Sequence, residues 1–478
     1  MPLAILIPVA AALFAIFPLT DTDIWWHLAC GREWVTTWTP VRFPVVKAHE
    51  FFQGFVWNLY EIGGAPLLVA VKAFLWALVF TLFTWRFFSK KSEFLSNGWG
   101  ALFSVVLLFI FRYQLEFRPV VFSLIFLGIY WNVLPLIFDA SKKLKVKIPL
   151  AVFVLVLQWV WCRFQGLYIL GPILVAVFFF DAVRKKTVFG KELACFIFWM
   201  VLLFAMPLFH KDGFNLWIYP FGLLDRLLGL SPSAASFASH VAENRSPFTL
   251  VLAGENFVAS LMMLLFSLFS LFFGFRQCVL KKWDVHDTVL CVVSVMALAA
   301  ERNFILLLPL VIFELQKANF PDLKISRRKT LVLMALLISF ILGLWGRSLQ
   351  VYDSRMVAEQ RVPVAAAAWM KTHPHEGRLF NDDRAGGYIS FVLPQDSIFI
   401  DGRFILKTSD FFERYLRYSE QPNLFLHDAD AYGVDRALFP VRYYSRWKAL
   451  LDALETSPEW QKAYVDSLYV IFDRILLH

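Results

Sequence analysis

DTDIWWHLACGREW, residues 21–34, follows an apolar run that ends at Leu19, and GFVWNLYE, residues 54–61, closes the same segment just before the next apolar run. Two carboxylates, a histidine and a dense group of tryptophans therefore stand at a membrane edge, in the first loop of a mostly lipid-soluble chain. The 478 residues are 59% hydrophobic, 18% aromatic and 17% charged, with mean hydropathy +0.60. A soluble chain carries roughly 25% charged residues, so the composition defines a polytopic membrane protein. The net charge of +9 lies in short clusters between apolar runs: Arg86, Lys90 and Lys91; Lys142, Lys143, Lys145 and Lys147; Arg184, Lys185, Lys186 and Lys191; Arg276, Lys281 and Lys282; Lys324, Arg327, Arg328 and Lys329. Such clusters mark cytoplasmic loops, and they leave no basic face for nucleic acid.

A span needs about 20 apolar residues. Eleven are expected, at 2–19, 65–88, 98–112, 119–138, 147–163, 166–183, 191–209, 250–275, 284–300, 303–319 and 330–347. The first run lacks a basic start and a small-x-small cleavage site, which favours an uncleaved span over a signal peptide. With the basic clusters inside, the N-terminus is cytoplasmic, and 20–64, 113–118, 210–249 and everything after 347 lie outside. The pairs of spans around Arg163 and around Glu301-Arg302 have almost no loop between them, so each also reads as a re-entrant hairpin. The five cysteines, Cys30, Cys162, Cys195, Cys278 and Cys291, are scattered and imply neither a disulfide framework nor a Cys-type metal site.

From about residue 350 the composition becomes that of a soluble domain, and the remaining length suits one small domain. Residues 363–373 read as a helix, 377–394 as a strand, a Gly-containing turn and a second element, and 397–403 as a short strand. FFERYLRYSE (411–420) reads as a helix and 464–474 as a terminal hairpin. The alternation predicts an α/β layer. The expected architecture is an α-helical polytopic membrane domain, 1–349, with a small C-terminal α/β extracytoplasmic domain, 350–478.

The candidate catalytic residues are Asp21, Asp23, His27 and Glu61. Asp21 or Thr22 suits the N-cap of a short helix running through Trp34. On that helix Asp23 and His27 share a face, and Trp25, Trp26 and Trp34 suit a membrane interface. A carboxylate held among apolar neighbours has a raised pKa and can act as a general base on a hydroxyl; the plain alternative is that Asp21 and Asp23 only cap a helix. Asp23 and His27 also have the spacing of two ligands to a divalent metal, with no further ligand fixed by the sequence. Glu61 reads either as completing an acidic site or as a first-turn acid favoured by the helix dipole.

The candidate substrate-binding residues are Arg118, Arg163, Arg302, Glu243, Asp401 and Arg403. The three arginines stand at the outer ends of spans, against the positive-inside trend. Arginine matches phosphate oxygens in a bidentate fork, which suits a lipid phosphate or pyrophosphate; the alternatives are pairing with Glu116 or Glu301, or snorkelling to headgroups. Glu243 and Glu255 lie on a long outer loop that can close over a site or cap helices. Asp401 and Arg403 suit a polar acceptor or a structural salt bridge, and Gly386, Gly387 and Gly402 read as serving backbone geometry.

The run D-x-D-x-W-W-H-L-x-x-G, carried by Asp21, Asp23, Trp25, Trp26, His27, Leu28 and Gly31, resembles a family of bacterial multi-spanning proteins similar to GT-C class glycosyltransferases. The resemblance continues through Trp57 and Glu61, Arg118-Pro119, Trp161 and Gly166, Arg302-Asn303, Gly386-Gly387-Tyr388 and Asp401-Gly402-Arg403. The chain departs from the family pattern at Arg163 and Gln165, where the family shows Asn and His, and at Ile62, where it shows Trp. What the resemblance implies is a sugar donor on a polyprenyl phosphate and transfer on the periplasmic side of a bacterial inner membrane. Asp21 or Asp23 would be the base, and the outer arginines would hold the leaving lipid phosphate. The acceptor is left open, and no cofactor is certain. Two readings from other classes stand beside it. One is a non-catalytic membrane subunit that binds a lipid-linked glycan or a protein partner. The weaker is a transporter or flippase, whose ionisable groups belong near the bilayer midplane.

Overall fold

A computed structural model of the chain describes residues 3–42, 44–88, 94–188, 190–280, 283–318, 327–442 and 445–475. Lys90, Lys91, Lys281, Lys282 and Lys324 of the basic clusters lie outside the described residues. The N-terminal part is helical: α1 (Leu6–Phe14), α2 (Asp23–Arg32), α3 (Glu50–Thr84), α4 (Phe94–Ile110), α5 (Val120–Ile137), α6 (Leu144–Trp161), α7 (Leu170–Arg184), α8 (Lys191–Ala205), α9 (Gly213–Leu228), α10 (Pro232–His240), α11 (Pro247–Ala253), α12 (Phe257–Val279), α13 (Val285–Ala299), α14 (Phe304–Lys317) and α15 (Arg327–Leu349).

Among the described residues, six helices are long and apolar enough to cross a membrane: Glu50–Phe87, Val120–Ile137, Leu144–Trp161, Gly166–Arg184, Glu192–Phe209 and Phe257–Val279. Trp99–Ile110, Val285–Ala299 and Met334–Leu349 are apolar but shorter. The other two expected spans are α1, with 9 residues, and α14, with 14 residues. At about 1.5 Å per residue these fall well short of a hydrocarbon core of about 30 Å, so the eleven expected spans are not all full-length helices. A second difference lies in the first loop, which was expected to run to residue 64. Helix α3 already begins at Glu50 and continues through a kink at Gly63-Gly64, where Gly64 adopts φ +61° just ahead of Pro66. The left-handed glycine admits the bend that the proline ring forces on the preceding turn.

The C-terminal part contains α16 (Val364–Thr372), β1 (Arg378–Asn381), α17 (Asp383–Val392), α18 (Ser409–Arg417), α19 (Pro422–Tyr432), β2 (Val434–Pro440), α20 (Lys448–Thr456), β3 (Trp460–Val465) and β4 (Tyr469–Arg474). The strands form one sheet in the order β1-β2-β4-β3, with β1 parallel to β2 and the other pairs antiparallel. The period of two along a strand splits its side chains between two cores. Leu438, Tyr469 and Ile471 join the core that is continuous with the helical bundle, whereas Ala437, Phe439, Val470 and Phe472 pack with Phe380, Phe412, Tyr415 and Trp447 on the other face.

Two expectations here are corrected. The Gly-containing turn expected in 377–394 is not formed: Gly386 and Gly387 lie inside the helix α17, started by Asp382, whose side chain accepts the Ala385 N–H at 3.1 Å. Residues 397–400 do not join the sheet. The Asn381 amide takes the place of a ladder, accepting from Phe399 N at 2.8 Å and donating to Ile400 O at 2.7 Å. The first loop completes the hold: Trp38 N donates to Ile398 O at 3.0 Å and Thr39 Oγ1 to Phe399 O at 2.5 Å. The end of the first apolar run is tied to the C-terminal part in the same way, Leu19 N donating to Met356 O at 2.9 Å.

Candidate functional site

Helix α2 was expected to lie in the membrane interface. Instead it is sandwiched between α3 and α17, with Trp25 and Trp26 buried. Trp25 packs edge-on to Tyr388 at 4.8 Å and lies 5.5 Å from Phe391, both on α17. The approach depends on Gly387: a methyl built there would meet Trp26 N at 3.1 Å and Thr22 O at 3.2 Å. No φ at Gly386, Gly387 or Gly402 is positive, so these glycines serve close approach, of backbone at Gly386 and Gly387 and of a side chain at Gly402, and not a left-handed turn.

At the start of α2 the side chains converge. Arg118, just before α5, donates from Nη2 to Asp21 Oδ1 at 2.9 Å and from Nη1 to Glu243 Oε2 at 2.7 Å. Asp21 is buried, and its Oδ1 also accepts the Asp23 N–H at 3.3 Å, while Thr22 makes no side-chain cap. Arg302 reaches the other oxygen of Glu243 at 3.6 Å and bonds the Asn244 side chain at 3.1 Å. Asp23 faces the DGR loop so closely that a methyl on Gly402 would overlap its carboxylate. The sequence thus predicts four residues that the fold gathers here, Asp21, Asp23, Arg118 and Glu243, with Arg302 at their edge.

The electrostatics follow from this crowding. Burial, and after it the charge of Asp21, push the Asp23 carboxyl up to about 7, with Arg118 pulling the other way. Burial also works to raise Glu243, but Arg118 and Arg302 outweigh it and hold that carboxyl at about 2. Burial, reinforced by His49, Arg403 and Arg118, drives His27 well below its ordinary value, so its ring is neutral. His27 packs against Trp26 at 3.5 Å, Phe52 at 4.8 Å and His49 at 5.4 Å. Asp21 Oδ2, Arg118 Nε and His27 Nδ1 are buried with no hydrogen-bond partner among the described residues. Buried polar atoms are nearly always paired, so three orphans on side chains of this cluster mark a place where a polar ligand can bind. Among the described residues no three His, Cys, Asp or Glu side chains are grouped so as to hold a metal ion.

Four expected site residues are placed elsewhere. Glu61 sits on an exposed face of α3 and has no hydrogen bond or ion pair among the described residues; Glu243 occupies the position foreseen for it. Arg163 belongs to a separate cluster, with Glu50 Oε1 at 3.7 Å and the carbonyls of Trp159 and Phe209 at 2.9 and 3.3 Å; His210 and Lys211 bind the same glutamate. Asp401 and Arg403 are turned inward as a buried pair, Nη2 to Oδ2 2.5 Å, and Arg403 also donates to Val35 O at 2.7 Å. They clamp the DGR loop to the end of α2 and present no free charge to a ligand. Glu255 pairs with Arg245 at 2.7 Å.

Glu116, read from the sequence as a partner for Arg118, makes other contacts, while Arg118 pairs with Asp21 and Glu243. Glu116 accepts from Thr20 Oγ1 at 2.6 Å through Oε1, and its carbonyl accepts from Trp76 Nε1 at 3.1 Å. Burial and Asp21 raise the Glu116 carboxyl, opposed by Lys72, a fully buried lysine whose Nζ donates to Phe17 O at 2.9 Å. From the C-terminal part, Arg361 and Arg384 lie near one another, with Arg361 within electrostatic reach of Asp21 and Glu116. The Arg361 side chain is exposed, and its guanidinium has no hydrogen bond or ion pair among the described residues. Nothing in the local sequence signals it, because it reaches the site only through the Leu19 tie.

A bundle of apolar helices and an acidic cluster at the start of α2, covered by α17 and the DGR loop, define a multi-pass membrane protein. The archaeal oligosaccharyltransferase AglB from Archaeoglobus fulgidus, solved in complex with an inhibitory peptide and a dolichol-phosphate, has a similar structure: TM-score 0.53 at 11% identity, over 91% of this chain and 69% of that one. At that identity the likeness is one of fold. No protein-family model and no curated protein sequence matches the chain.

Proposed function

We propose that the chain is a membrane glycosyltransferase that moves a sugar from a polyprenyl-phosphate donor to an acceptor hydroxyl on the side of the acidic cluster, the periplasmic side of a bacterial inner membrane. The observation that carries this reading is the meeting of Asp21, Asp23, Arg118 and Glu243 under the DGR loop. The likeness to a protein solved with a dolichol-phosphate supports a lipid-linked donor.

In this reading Asp23 is the base. A carboxyl near 7 changes protonation where the reaction runs and is strong enough to take a proton from a hydroxyl as it attacks the anomeric carbon. Asp21 holds the negative charge that keeps Asp23 basic, and Arg118 holds Asp21 in place. Because Arg118 is engaged by two carboxylates, the cation assigned here to meet the departing lipid phosphate is the exposed Arg361, within electrostatic reach of Asp21. Fixed positive charge where negative charge develops is the most effective electrostatic aid to such a step.

Purified full-length protein incubated with a polyprenyl-phosphoryl sugar and a hydroxyl acceptor should transfer the sugar, and Asp23→Asn should stop transfer. Full activity in Asp23→Asn would overturn the assignment of the base.

A further inference from the structure

Helix α9 does not belong to the acidic site, yet it presents an unusual surface. Phe214, Ile218, Phe221, Leu224 and Leu228 recur at three- and four-residue spacing and are all exposed. Trp217 stacks between Phe214 at 5.7 Å and Phe221 at 5.9 Å. The helix has 16 residues, about 24 Å long at 1.5 Å per residue, too short to cross the bilayer and too polar on its other face. That other face is fully engaged: Tyr168 OH donates to Leu216 O, and the buried Arg226 donates to Phe404 O at 2.5 Å and Lys407 O at 2.9 Å. Asp225 is folded back onto Ser231, accepting from both its N–H and its hydroxyl at 2.8 Å.

The apolar stripe is continuous with the lipid-facing surface of the span Glu192–Phe209, where Phe198, Val201, Phe204 and Phe209 are exposed. The Trp217 indole N–H donates to Phe204 O at 3.0 Å across that junction. A surface that prolongs a lipid-facing wall, carries a tryptophan at the junction and has its polar groups on the opposite side fits the headgroup and acyl boundary of a bilayer.

We propose that α9 is an interfacial helix, its stripe embedded in the leaflet nearest the acidic cluster, and that it fixes the DGR loop at headgroup depth. The connection runs through Arg226 to the 404–407 segment, and then from Lys407 Nζ to the Thr37 and Thr39 hydroxyls of the first loop, both at 2.6 Å. The inference is independent of whether the acidic cluster transfers a sugar.

The test uses the full chain, with the exposed Cys195 and Cys278 changed to serine, reconstituted in phosphatidylcholine vesicles and carrying one nitroxide on Phe221→Cys, Leu224→Cys or Asn215→Cys. At Phe221 and Leu224, collisions with oxygen should exceed those with a water-soluble nickel chelate, and at the exposed Asn215 the order should reverse. Chelate access at Phe221 equal to that at Asn215 overturns the proposal. Protection of Phe221 from both reagents also overturns it, because it assigns the stripe to a protein partner. If either variant loses its unfolding transition in detergent, Ile218→Cys replaces it at the same face.

Discussion

Changing Gly402 to alanine probes the acidic cluster from the side the sequence motif alone does not suggest. A methyl built on Gly402 stands more than 1 Å inside the ordinary contact distance of 3.4 Å from Asp23 Oδ1. The backbone at Gly402 has no positive φ, so alanine itself is tolerated there. The neighbouring Asp401–Arg403 pair is buried and braced on Val35, so the loop resists and the carboxylate is the part that moves. Misplacing a catalytic group by about 1 Å costs on the order of 10²-fold, and overpacking costs about 1–3 kcal/mol of stability. In a transfer assay with a polyprenyl-phosphoryl sugar, kcat should fall by about two orders of magnitude, with KM for the donor little changed. The double variant Gly402→Ala/Asp23→Asn should be no worse than Asp23→Asn alone, because the methyl acts only through that carboxylate. A folded Gly402→Ala protein with the parent kcat refutes the reasoning.

Four further outcomes follow from the same contacts. The transfer rate should rise with pH through about 7 as Asp23 loses its proton, and Asp21→Asn, if residual activity can be measured, should move that inflection down, since the charge of Asp21 is the second cause of the shift after burial. The stability term has the opposite sign: between 3.8 and about 7 the native state binds a proton at Asp23 that the unfolded chain does not, so this contribution is lost as pH rises through about 7, as unfolding midpoints measured across pH will show. Glu243→Gln should lower kcat by freeing Arg118 on one side, whereas Glu61→Gln should leave transfer unchanged; equal losses in the two would contradict the placement of Glu243. Arg403→Lys should lower the unfolding free energy by about 1–3 kcal/mol, because an ammonium cannot reproduce the fork that meets both Asp401 oxygens and the Val35 carbonyl.

The membrane class, the helical character of the chain up to residue 349 and most C-terminal elements were legible because each rests on local pattern: apolar run length, period and turn residues. Asp21 and Arg118 were legible as candidates, but not as partners. Their contact spans 97 residues and that of Arg118 with Glu243 spans 125, and nothing in either segment encodes the match. Glu61 shows how one misplaced boundary spreads. With α3 taken to start at 65, its helical phase over 50–62 went unread. With the observed start at Glu50, buried Phe52 and Val56 and half-buried Tyr60 mark the inward face at four-residue spacing, and Glu61 falls one residue off it. The tryptophans of α2 misled for a related reason. An aromatic-rich helix at a membrane edge suits the interface when nothing covers it, and the cover here is α17, brought close by a glycine more than 350 residues away.

The acidic cluster is therefore a property of two chain ends meeting. Asp23 is basic because it is buried, and part of what buries it is the DGR loop, held by Arg403 to the end of α2 and by Lys407 to Thr37 and Thr39. The same loop leaves room for the carboxylate only because residue 402 lacks a side chain. Undocking the loop would hydrate Asp23 and pull its pKa toward that of an ordinary carboxylate, while crowding the loop displaces it with the burial intact. Loosening and crowding thus separate the two things the DGR segment does: Arg403→Lys should lower the pH inflection, and Gly402→Ala should lower the plateau rate. A segment that merely bound the acceptor would change KM in both and leave the inflection where it was.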